Sequence, residues 1–140
     1  MAGIVPAEAV QKAREALKLE PSVWGRAWRV RRMDRPGEAY YLVELGAPLA
    51  TLGVATVDVG SGEVGVYASL PGVGSHVNVD GALAAELAGG GESAELVWMP
   101  CSLSRSPLYP FWEVKTGIGT TYVDFERRVV EGIAPAAPGG

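Results

Sequence analysis

The chain has 140 residues and a mass of 14.6 kDa, with 48% hydrophobic and 20% charged residues, a formal net charge of −4 and a pI of about 5.0. That is enough apolar material for one ordinary domain, or for two very small units sharing a core, and it is not the composition of a disordered chain. The acidity argues against non-specific nucleic-acid binding, and the single Cys101 leaves neither an internal disulfide framework nor a four-cysteine zinc site.

The start, M-A-G-I-V-P-A-E, lacks the basic and apolar segments of a secretory signal, and no run of about 20 apolar residues could span a bilayer. The expectation is a cytoplasmic protein with no membrane contact. Pro6 to Leu19 predicts the first helix: Pro6 suits its first position, Val10, Ala13 and Leu17 form an apolar stripe, and Pro21 stops it. From Ser22 the pattern turns to strands. Trp24, Trp28 and Val30 share one parity with Arg26 and Arg32, while Ala27 and Met33 share the other with Arg29 and Arg31. A D-R-P-G turn at Asp34 to Gly37 leads to a strand at Tyr40 to Leu45, a loop at Gly46 to Leu52 and a strand at Gly53 to Val59. Gly60-Ser61-Gly62 closes a hairpin onto Glu63 to Ala68, so residues 1–70 read as a helix plus a four-stranded meander.

Pro71 to Ser75 reads as a connector, and Asp80 as the cap of a short helix from Gly81 to Ala88 that Gly89 ends. Strands follow at Ala94 to Met99, Phe111 to Lys115, Thr120 to Phe125 and Val129 to Ile133, with a long loop at Pro100 to Pro110. Residues 71–133 thus form a second, shorter unit, and the A-P-A-A-P-G-G tail, 134–140, is expected to be disordered. The fold class is α+β: two helix-plus-antiparallel-sheet units, either fused into one sheet or packed face to face. The order of elements recurs, and so does a Val-Asp pair before a turn, at Asp58 and Asp124, which points to an internal duplication. Parity sets both aspartates opposite the flanking core residues, as solvent-facing or turn-capping scaffold rather than a catalytic pair.

Tyr41-Leu42-Val43, Val57-Asp58 and Ser61-Gly62-Glu63-Val64 carry a resemblance to the PepSY-type repeat, a small α+β unit of cystatin-like shape. The likeness covers residues 6 to 68. The second half keeps Trp112-Glu113-Val114 and Tyr122-Val123-Asp124 but has Arg127-Arg128 in place of the turn Ser-Gly. The resemblance implies binding or protease regulation rather than catalysis.

Two segments attract attention as contact sites. S-P-L-Y-P-F-W gathers Tyr109, Phe111 and Trp112, aromatics that serve either as core or as an exposed anchor patch. Arg26 to Arg35 holds five of the 12 basic residues, and Arg26, Trp28, Arg29 and Arg31 have the composition of a single-strand nucleic-acid platform, disfavoured by the acidic whole. His76 and Cys101 are the distinctive groups of a rival reading, a small enzyme or ligand-binding module with a cleft between the halves. No nucleophile elbow, phosphate-binding loop or paired metal-ligand motif accompanies them, so no cofactor is expected. The favoured reading is a non-catalytic module that binds another protein, or itself, through a strand edge or the aromatic loop; a protease-regulatory or immunity-type partner is the version the resemblance implies.

Overall fold

A computed structural model describes residues 3–136. Helix α1 (Pro6–Ala16) precedes β1 (Trp24–Arg32), β2 (Ala39–Ala47), β3 (Ala50–Asp58) and β4 (Val64–Ser69). Helix α2 (Gly81–Leu87) precedes β5 (Ser93–Trp98), β6 (Phe111–Thr116), β7 (Gly119–Val123) and β8 (Val129–Val130). All eight strands lie in one sheet in the order β4-β3-β2-β1-β5-β6-β7-β8. Every neighbouring pair is antiparallel except the central β1–β5 pair, where Arg31 and Arg32 lie beside Val97 and Trp98 in parallel. The protein is therefore α+β with a single sheet, and the face-to-face arrangement is excluded.

Strand alternation sends the two helices to opposite faces. Helix α1 buries Ala9, Val10 and Ala13 against Tyr41, Val43, Leu45, Ala55 and Val57. The intervening residues Tyr40, Leu42 and Val54 point the other way, into a larger core with Ala84 of α2, Leu96 and Trp112. Trp28 meets Trp112 edge to face, with ring centroids 6.3 Å apart, and so stitches the two halves together on that side.

Element ends differ from the expected ones for identifiable reasons. Helix α1 stops at Ala16, before Pro21 can act, because Lys18 turns left-handed (φ 57) and closes a Schellman motif, Leu19 N–H to Arg14 C=O at 2.9 Å. At α2 the expected cap holds: Asp80 accepts the Leu83 amide at 2.8 Å. The expected loop at Gly46 to Leu52 is almost entirely strand, since β2 runs to Ala47 and β3 resumes at Ala50, with a register shift beside Gly46 absorbing the extra residue. The last strand is confined to Val129–Val130. Of the expected disordered tail, Ala134 to Ala136 are tied down: Ser102 N–H donates to Ala134 C=O at 2.7 Å and Ala136 N–H to Pro100 C=O at 3.0 Å. Residues 137–140 lie outside the described residues.

Both Val-Asp pairs open turns built on the aspartate. Asp58 accepts the Ser61 amide at 2.7 Å, and Gly62 takes φ 76 before the chain pairs again. Asp124 is buried rather than solvent-facing; it accepts the Glu126 and Arg128 amides at 3.0 and 2.8 Å and the Arg128 guanidinium. The corresponding positive φ, 65°, falls there on Arg127. A left-handed conformation costs a side-chain-bearing residue about 1–2 kcal/mol, part of which glycine's greater unfolded freedom returns. Arg127→Gly is therefore expected to stabilise the fold by about 0.5–1 kcal/mol in chemical denaturation.

Candidate functional site: a charge-free sheet edge beside a buried polar hub

The polar groups of β1 do not converge on one surface. Arg26 and Trp28 point to the α2 side, and Arg29 and Arg31 to the α1 side. Arg26 Nε donates to Glu44 at 2.8 Å, its guanidinium lies 4.7 Å from the Trp28 ring centroid, and Trp28 Nε1 donates to the same carboxylate at 3.0 Å. Arg31 is held by Glu95 and Glu113, the latter at 2.9 Å. The Glu95 hydrogen bonds, with the Coulombic pull of both carboxylates, raise its pKa further above an already basic value. Arg29 alone of the four is exposed.

Glu44 is the organising group, and the sequence reading passed over it. It is 1% exposed in the middle of β2. Its second oxygen accepts the Thr51 hydroxyl and the His76 and Val77 amides, each at 3.1 Å. Five donors from three segments, β1, β3 and the connector between β4 and α2, thus surround one carboxylate, and they clamp that connector over the sheet. Its signal in the sequence is a charge at the parity of Tyr40 and Leu42, both core residues.

His76 and Cys101 are spoken for. The His76 ring contacts Leu108 C=O through Nε2, packs at a 51° tilt against Tyr109 with centroids 4.8 Å apart and meets Phe125 edge on. Cys101 is buried in the larger core. Among the described residues no three His, Cys, Asp or Glu side chains are grouped to hold a metal. The aromatic loop divides too. Phe111 is 0% and Trp112 7% exposed, the latter donating to Val79 C=O at 2.7 Å, whereas Tyr109 is 50% exposed. Tyr109 borders a hollow of about 350 Å³ with Phe125, Arg105 and Arg128, but Asp124 at its edge is already saturated by the turn.

The outer edge of β4 is different in kind. No Asp, Glu, Lys or Arg occurs from Val64 to Val79, nor from Leu45 to Val57. These segments meet at one end of the sheet: Thr51 N–H donates to Gly74 C=O and Gly72 N–H to Thr51 C=O. Exposed Leu49, Leu52 and Val73 lie at that end, and Val66 and Tyr67 are exposed on opposite faces of β4. Edge strands are ordinarily guarded by charge or proline. Here the one guard is a bulge, where the β3–β4 register shifts between Ala55 and Val57 and Val66 N–H turns to the Thr56 hydroxyl.

No family model, no curated protein and no solved structure matches the chain. No helix among the described residues is long and apolar enough to cross a membrane.

Proposed function

We propose that the protein is a non-catalytic binding module that engages another polypeptide along the outer edge of β4. The observation that supports it is a strand exposed at the sheet's edge and free of charge from Val64 to Ser69, guarded by a bulge alone, with the exposed apolar residues Leu49, Leu52 and Val73 at its end. Interface cores are depleted in charge in the same way, and strand addition draws its affinity from main-chain hydrogen bonds that such an edge leaves open. A protease-regulatory or immunity-type role, carried by the PepSY-type resemblance, fits a small module that works by docking. Support for that resemblance and for a tandem duplication comes from the matching order of each half, a helix and then an antiparallel meander with an aspartate-built turn. Arg26 and Arg31 of β1, matched with carboxylates on opposite faces, lend no support to single-strand nucleic-acid binding, and Arg29 is the one of the three left exposed.

Affinity capture from the native host tests this. Immobilised wild type, Arg29→Ala and Tyr109→Ala are expected to retain a common protein that Tyr67→Lys loses. Loss that follows Arg29 or Tyr109 instead would move the site away from β4.

A further inference from the structure

The β4 edge also defines a specific partner. We infer that two copies of this chain join β4 to β4, antiparallel across a two-fold axis at Ala68, so that two eight-stranded sheets become one. The inference rests on the reading of β4 as a polypeptide-binding edge and names the polypeptide.

Three features converge on this register. First, Leu70 N–H donates inward to Leu52 C=O and Val66 N–H inward to Thr56, so alternation turns the amides and carbonyls of Tyr67 and Ser69 outward. Those two residues are the straight, unpaired part of the edge. Second, the neighbouring registers are blocked. A two-fold axis at Ser69 would pair Tyr67 with Pro71, which has no N–H, and an axis at Val66 or Tyr67 would draw Gly65, beside the bulge, into the ladder. An axis at Ala68 pairs Tyr67 with Ser69 twice, which closes four main-chain hydrogen bonds. Third, the side chains suit it. Ala68, whose amide faces inward, occupies the close, non-hydrogen-bonded position at the axis, where a small residue fits, and Val66 of each copy lies opposite Leu70 of the other.

Charge makes a second copy the fitting occupant. The chain carries a net charge of −4, so two copies repel over most of their surface, and like charges directly opposite each other in a sheet are destabilising. Over Val64 to Val79 no charged residue of one copy can meet its equivalent. The opposite edge of the sheet, by contrast, is the two-residue β8, and Arg127 and Arg128 stand directly before it.

Sedimentation equilibrium over a range of protein concentrations, on wild type and three variants, tests the inference. Wild type is expected to dimerise. Tyr67→Lys and Val66→Lys, both at exposed positions, are expected to be monomeric with unchanged thermal melts. The double variant Tyr67→Lys/Ser69→Glu is expected to recover the dimer, because this register sets Lys at position 67 opposite Glu at position 69 of the other copy. A wild type that stays monomeric at every concentration overturns self-pairing while leaving the capture experiment to decide whether β4 binds a different polypeptide. A dimer that survives both single lysines, or a double variant that stays monomeric, overturns the β4 register.

Discussion

Replacing Glu44 by alanine is expected to destabilise the fold by about 3–5 kcal/mol in denaturant titration, because it strands buried donors on every side. Arg26 would lose the carboxylate that neutralises it, Trp28 Nε1 and the Thr51 hydroxyl would lose their acceptor, the Val77 amide would be released, and the His76 amide would be left with the Thr51 hydroxyl oxygen alone, 3.0 Å away. The loss would also be local in a characteristic way. Hydrogen exchange at His76 and Val77 should accelerate ahead of global unfolding, because these amides tie the β4–α2 connector to the sheet. Glu44→Gln keeps the shape but turns one acceptor into a donor facing donors, so it should recover only part of the stability. A Glu44→Ala variant within about 0.5 kcal/mol of wild type would show that the hub is not structural.

Trp112→Ala is expected to cost about 3–5 kcal/mol, as large core truncations do. The indole fills the space between Gly81 of α2 and Trp28 of β1 and donates to Val79 C=O, so its removal opens a cavity where helix, connector and both halves of the sheet meet. Tyr109→Ala should stay within about 0.5 kcal/mol, since half its surface is already in water. Comparing the two melts separates what the sequence grouped as one aromatic patch.

That grouping shows where sequence reasoning ran out. The helices and strands were readable because each carries its own local signal: Pro6 at a helix start, Asp80 at a cap, glycine and aspartate at hairpin turns, alternation in between. Whether Phe111 and Trp112 face core or solvent depends on what docks onto β6, and Val79 and Gly81 are about 30 residues away in sequence. The two-faced division of Arg26 and Arg29 was visible in parity, but the carboxylates that hold Arg26 and Arg31 lie 18, 64 and 82 residues along the chain. The parallel joint of β1 with β5 left no local trace at all, since it depends on how the completed halves meet. Glu44 could have been found. An acidic residue at a core parity inside Y-Y-L-V-E-L is an inconsistency between pattern and chemistry, and such conflicts mark either a buried network or a site.

The absence of charge from Val64 to Val79 was equally open to view, yet its meaning depended on knowing that β4 is the outermost strand. In the middle of a sheet the same residues would be ordinary core. At the edge they leave main-chain groups and apolar side chains facing outward with only the bulge to deter a partner.

Amide hydrogen exchange of wild type at low and high protein concentration tests this account most directly. The Tyr67 and Ser69 amides are expected to exchange fast in dilute solution and to become protected as concentration rises, while Ala68 and Leu70, already bonded to β3, are protected throughout. Fast exchange at Tyr67 and Ser69 at every concentration, with protection appearing instead around Tyr109 or Arg29, would contradict it.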